Sequence, residues 1–259
     1  MVKDENDIIK DWIVYHGSMF GFGNLYIIDN FSNDGTYEII EELRDTGINI
    51  YRMNDYKKKG EYMKQLIDQN CTSNDIAFPI DIDEFIVYHD NNKISINKTL
   101  ILNYMNTLPI AHIYKANYIN PIIKKDDYDR ILTECETGIY VDYKNMAKTF
   151  FNNSIYLGPI DHGNHIMRDD YLLTKICLVH YHFRNLEQIK KKILNNIIGL
   201  NYINNLKYLE SLPDNCPGNH HVKSQIKVLK NEYSFQFDSN SVGEISLKPL
   251  QDRILGGFF

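Results

Sequence analysis

Nothing in the chain approaches the roughly 18 consecutive apolar residues that a membrane-crossing helix requires. The opening residues, Met1-Val-Lys-Asp-Glu-Asn6, carry no apolar core of a secretory signal. Cysteine is scarce: Cys71, Cys135, Cys177 and Cys216 stand far apart and form no C-x-x-C pair. That argues against a disulfide framework or a cysteine zinc site, and free thiols fit a reducing compartment. The expected location is therefore cytoplasmic. Positive charge is not in excess either. Lys and Arg number 28 against 34 Asp and Glu, a formal net charge of −6, so no whole-chain basic field draws the protein to nucleic acid. The lysine runs Lys57–Lys59 and Lys190–Lys192 are short enough to read as solvated faces. No repeat, low-complexity tract or linker interrupts the chain.

What is present fits a folded α/β protein. The 259 residues, 43% hydrophobic and 24% charged, suffice for one such domain. Residues 7–20 place Ile8, Ile9, Trp12, Ile13, His16 and Met19 near helical spacing, which predicts an amphipathic helix ending before Gly21. Asn24–Asp29 is a short apolar run, hence a buried strand. Asn33-Asp-Gly-Thr36 is a turn able to cap a helix with Ile39, Ile40 and Leu43 on its core face. A strand over 48–53, a helix over 61–70 and a strand over 76–80 follow. This alternation predicts a mostly parallel, doubly wound sheet flanked by helices. The later residues are less regular: strands over 110–118 and 175–182, a helix over 186–212 broken near Gly199, and a last helix over 221–233. The expected division is a nucleotide-binding half, 1–109, an acceptor-side and largely helical half, 110–233, and a C-terminal arm, 234–259.

In such sheets ligands bind outside the carboxyl ends of the strands. Asp29 ends the first clear strand, and Asp81-Ile-Asp83 follows the strand at 76–80. Two carboxylates at one strand end suit a hard divalent cation, and a cation there can hold a diphosphate leaving group. Asp29 can accept hydrogen bonds from a nucleoside, or it can shape the turn that follows. In His180-Tyr-His182-Phe-Arg184 an imidazole can complete a metal's coordination and Arg184 can pair with phosphate. Asp161, in Pro159-Ile-Asp-His-Gly-Asn-His165, is the first choice for a general base, with Glu134 and Glu136 in reserve. His220 and His221 sit at the start of the last helix.

Several of these segments resemble a known family. Lys3–Asp7, Trp12-Ile-Val-Tyr-His16, Tyr26-Ile-Ile-Asp-Asn30 and Asn33-Asp-Gly-Thr36 look like the start of family-2-like glycosyltransferases, on the branch related to the family-92, DUF23-type enzymes. Asp81-Ile-Asp-Glu-Phe85 is similar to that branch's D-x-D-E-F motif, the segment Lys144–Lys148 to its mid-chain lysine segment, and Val179–Arg184 to its H-Y-x-x-[KR] motif. The resemblance covers most of residues 3–195. It implies a GT-A fold, Mn²⁺ or Mg²⁺, a nucleotide-sugar donor (often a UDP-sugar), a glycan or glycoprotein acceptor, and inversion. It implies metal ligation by Asp81, Asp83 and His180, and donor binding by Asp4, Glu5, Asp29, Asp81, Lys148 and Arg184. Relatives carry an apolar strand ahead of the Lys3–Asp7 segment, which is expected here to be missing or a stub. No Q-x-x-R-W motif occurs, so polymer synthesis is not expected. Two other classes compete. A haloacid-dehalogenase-type phosphatase also uses two aspartates two apart, but in place of its D-x-D-G-[TS] pattern Glu84-Phe85 follows here. A GT-A-like module that binds without turnover is the other.

Overall fold

The computed structural model describes residues 1–110, 113–122, 135–141, 147–152, 160, 163–164, 171–182, 184, 186–232 and 244–255. The chain divides into two compact units: Met1–Ile122 with Thr133–His182 and Asn240–Phe259, and Ile123–Leu132 with Phe183–Ser239.

In the first unit, α1 (Ile9–Phe20) buries Ile9, Trp12, Ile13, His16 and Met19, the face set by their spacing. Gly21 ends it at φ 94°, a conformation glycine adopts without strain. Strand β1 (Tyr26–Asp29) leads through α2 (Thr36–Glu42) to β2 (Asn49–Arg52), and the two strands pair in parallel. Next come α3 (Lys59–Asn70), β3 (Ile76–Ala77), β4 (Glu84–Asp90) and β5 (Lys93–Ser95). The β4–β5 connection is the two-residue turn Asn91-Asn92, both at positive φ. That is the twist a tight hairpin needs, and asparagine tolerates it. Asn97 caps α4 (Lys98–Asn106), its side chain accepting the Leu100 amide at 2.9 Å. Strands β6 (Ile113–Pro121), β7 (Thr137–Val141), β8 (Lys148–Asn152) and β9 (Tyr171–His180) follow.

The second unit holds α5 (Leu186–Gly199), α6 (Leu206–Glu210) and α7 (Asn219–Leu229), packed around Ile197, Leu209 and Val222. The chain then contributes β10 (Glu244–Ser246) and α8 (Lys248–Leu255) to the first unit. Residues 234–259, read as an arm, thus contain a strand paired to β7 and a helix. Among the described residues, no helix is long and apolar enough to cross a membrane.

The fold is α/β, but the expected mostly parallel sheet is corrected to a mixed one. Among the described residues, β1 and β2 form a two-stranded parallel sheet. An eight-stranded sheet runs β10-β7-β6-β9-β4-β5, with β8 also on β6 and β3 on β8. In it only β6–β9 is parallel. The helix–strand alternation of the first 80 residues yields one parallel pair, because β3 turns instead to β8. Beyond it, the hairpin β4–β5 enforces antiparallel neighbours.

The two sheets do not join. Val2 meets Asp29 in a single parallel bridge, its amide on the Ile28 carbonyl and its carbonyl on the Asn30 amide, both at 2.8 Å. This is the stub expected ahead of the Lys3–Asp7 segment. Between the edges of β1 and β3 lies a cavity of about 550 Å³, lined by Tyr26, Ile28, Ile76, Ala77, Trp12 and Met63 among others.

Helix α1 is fastened to β4 by polar side chains. The Trp12 indole donates to the Glu84 carbonyl at 2.9 Å and the Tyr15 hydroxyl to the Ile86 carbonyl at 2.6 Å. His16 is fully buried, its Nδ1 3.0 Å from the Trp12 carbonyl and its Nε2 accepting the Ile86 amide at 3.3 Å. Burial pushes this imidazole down to about 3, so it is neutral and structural at physiological pH. Tyr15→Phe is expected to cost about 1 kcal/mol, the usual net worth of one buried hydrogen bond. Urea unfolding checks this: an unchanged midpoint would mean the hydroxyl contributes nothing.

Candidate active site

The loop from β3 to β4 carries Asp81 and Asp83, and the pairing of β4 with β9 fixes what faces them. Glu84 lies opposite His180 in the antiparallel register, and the Tyr181 amide donates to the Asp83 carbonyl at 2.8 Å. Alternation along the extended chain sends Tyr181 one way and His180 and His182 the other. Tyr181 is buried, meeting Phe85 edge-on at 5.6 Å. His180 Nε2 stands 3.6 Å from Asp83 Oδ2, and His182 Nδ1 stands 4.0 Å from the same oxygen. One ligand atom from each residue lies within 4.8 Å of the other two. Two ligands of one ion at about 2.1 Å are at most about 4.2 Å apart, so both carboxylate–imidazole spacings fit a shared cation. Tyr118 stacks on His180 at 4.9 Å and fixes the ring plane.

Asp81 is held differently. Lys59 Nζ reaches Oδ1 at 2.5 Å and Lys148 Nζ reaches Oδ2 at 2.7 Å. Lys148 also meets Glu84 Oε1 at 3.1 Å, an oxygen that accepts the Tyr118 hydroxyl at 3.1 Å. The other Glu84 oxygen accepts the Asp81 amide at 2.7 Å. Burial pushes the Asp81 carboxyl up, but Lys148 and Lys59 outweigh it and hold the group well below the usual carboxylate range. Burial likewise lowers the Lys148 ammonium, while Asp81 and Glu84 reverse that and raise it. Lys59, read as part of a solvated run, is buried, whereas Lys57 and Lys58 are exposed. It opens α3 on the helix's inner side, where Asp81 compensates its charge.

A second polar cluster forms where β1 ends. Asp29 is fully buried, accepts the Ser32 amide at 3.1 Å and meets Arg52 Nε at 3.0 Å. The Arg52 guanidinium sits 4.4 Å from the Phe31 ring centroid and 3.9 Å from that of Tyr37. The N-terminal segment laces this loop. The Asp4 carboxylate accepts the Asn33 amide at 2.8 Å, and the Asp4 and Glu5 amides donate to the hydroxyls of Ser32 and Thr36 at 3.0 and 2.8 Å. Phe31 takes a left-handed φ of 52°, unusual without glycine.

No protein-family model, curated protein or solved structure matches the chain. What the site can do rests on its own geometry.

Of the residues singled out from sequence, Asp83 and His180 come together, and Asp81 lies beside them with its oxygens on two lysines. Lys148 is one of those lysines. Asp4, Glu5 and Asp29 gather in the second cluster. Arg184 is buried and belongs to the other unit. Asp161, with Glu134, lies outside the described residues. Glu136 is exposed, and its carbonyl accepts the Leu247 amide. It stands five residues before Val141, the partner of Tyr118, so roughly 16 Å of strand separates it from the Tyr118 level. His182 and Lys59 were missed. His182 was legible, since it shares a strand face with His180. Lys59 was not, because its partner is remote in sequence.

Two outcomes are expected. Lys148→Met leaves buried carboxylates without their cation and should cost about 3–5 kcal/mol at neutral pH. The depressed Asp81 carboxyl adds stability above the ordinary carboxylate range, which is lost as pH falls through and below it. The variant should therefore lose less on acidification than the parent, and parallel pH–stability curves from urea titrations would contradict this. Separately, His182→Ala should weaken Mn²⁺ binding by more than about ten-fold, the scale seen when even a supporting group of a metal site is removed. Calorimetry showing equal affinity would remove His182 from the ligand set.

Proposed function

We propose that the chain is a metal-dependent glycosyltransferase of the GT-A kind, moving a sugar from a nucleotide-sugar donor, a UDP-sugar by preference, to a glycan or glycoprotein acceptor with inversion. The observation that carries this reading is the Asp83–His180–His182 group beside Asp81, at the end of a buried strand. Breaking a sugar–phosphate bond leaves negative charge on the diphosphate, and a divalent cation supplies the opposing charge. Asp83, His180 and His182 would hold it. One carboxylate with two imidazoles suits Mn²⁺ better than Mg²⁺, which favours oxygen ligands.

The rest of the first unit supports the same reading. Asp29 and Arg52, with Phe31 and Tyr37 on the guanidinium, offer carboxylate, cation and aromatic faces for a nucleoside, and Asp4 and Glu5 steady that loop. Asp161 remains the proposed base for the acceptor hydroxyl. Glu136 is less suited, given its distance along β7. The phosphatase alternative needs one aspartate oxygen free to attack phosphorus, and both Asp81 oxygens are engaged by lysines.

The test is a panel of nucleotide sugars with Mn²⁺, reading nucleotide release. Turnover is expected with at least one donor, to be abolished by chelator and by Asp83→Ala while the fold persists by circular dichroism. Full turnover of Asp83→Ala in chelator would refute the metal's role. Donor binding with no turnover under any condition would instead identify a binding module.

A further inference from the structure

The pair of lysines on Asp81 is an arrangement that one carboxylate does not explain. A buried ammonium is costly unless compensated, and here Lys59 and Lys148, 5% and 2% exposed, both converge on the same side chain. Glu84 compensates Lys148 from behind at 3.1 Å. The Asp81 side chain, 27% exposed, is the member of the group that opens to solvent, with the two ammonium groups beneath it. Each of its oxygens takes one lysine, at 2.5 and 2.7 Å. Two oxygens of a phosphoryl group would present the same pair of acceptors. Asp81 is also two residues from Asp83, so a short side-chain rotation aims its carboxylate either at the lysines or toward the metal group.

We propose that Lys59 and Lys148 form a binding site for the diphosphate of the donor, and that the protein's own Asp81 carboxylate fills this site until metal and diphosphate arrive together. The ion draws Asp81 away from the lysines. The diphosphate replaces it there, so neither the ammonium pair nor the carboxylate is left uncompensated. Without metal Asp81 stays in place and repels the incoming anion, which makes diphosphate binding conditional on metal. Naming the anion as a donor's diphosphate rests on the glycosyltransferase reading. The lysine site itself does not.

Inorganic pyrophosphate is the probe, titrated by calorimetry. The parent protein should bind it with Mn²⁺ and not in chelator. Asp81→Asn removes the internal anion and should bind it in chelator at least about ten-fold more tightly than the parent, as expected for freed charge-assisted hydrogen bonds. Adding Lys59→Gln to that variant should abolish the gain. A folded Asp81→Asn protein that binds pyrophosphate no better than the parent in chelator overturns the proposal. Should Asp81→Asn fail to fold, Lys59→Gln alone decides: it should weaken pyrophosphate binding in Mn²⁺ by about ten-fold, and unchanged affinity overturns the proposal. Metal-gated pyrophosphate binding without turnover of any nucleotide sugar would leave the lysine site standing and remove the transferase reading.

Discussion

The antiparallel pairing of β4 with β9 is the constraint on which the site depends. Its register sets Glu84 against His180, and from that one alignment the rest follows. Asp83 enters the strand opposite Tyr181, and the two-residue period of an extended chain brings both flanking histidines to its carboxylate. A slip of one residue would turn His180 and His182 inward and Tyr181 outward. The packing opposes such a slip. Tyr181 and Phe85 meet in the core, and Trp12, Tyr15 and His16 of α1 grip the backbone of Glu84 and Ile86. The helix thus holds the strand that carries the chemistry, through side chains that take no part in it.

Charge at the β3–β4 loop is arranged by the same economy of contacts. Strand β8 delivers Lys148 and the start of α3 delivers Lys59, both to the one loop. Glu84 ties this group to Tyr118, whose ring supports His180. Lysine network and imidazole group are therefore not independent, and a change at Glu84 reaches both. At the end of β1, by contrast, order comes from backbone amides and hydroxyls of the N-terminal segment.

Local pattern carried the reading of the sequence as far as local physics reaches. Helix α1 and strands β1 and β2 follow from apolar spacing and from the glycines that end their neighbours. Asp83 and His180 were marked by type and by the apolar runs before them. The mixed sheet was not legible, because pairing partners such as Ala77 and Phe151, or Ala116 and Lys148, are separated by long stretches of chain. The β4–β5 hairpin was legible in principle from Asp90-Asn-Asn-Lys93, since paired asparagines accept the left-handed turn. Lys59 shows the limit most clearly: beside two exposed lysines nothing in its neighbourhood announces a buried ion pair. The acid in the metal group and the acid bound by lysines, two positions apart, are likewise identical in sequence and distinguished only by what the fold brings to each.

The gap between β1 and β3 bears on how the protein responds to compression. Internal void is lost when a chain unfolds, so a folded state that contains it occupies more volume than its unfolded chain, and hydrostatic pressure works against it. The cavity of about 550 Å³ lies beside both strands whose carboxyl ends lead to Asp29 and to Asp81. Pressure therefore acts first where the two sheets fail to meet, and the α1–β4–β9 core, whose side chains interlock, is the part best able to resist it.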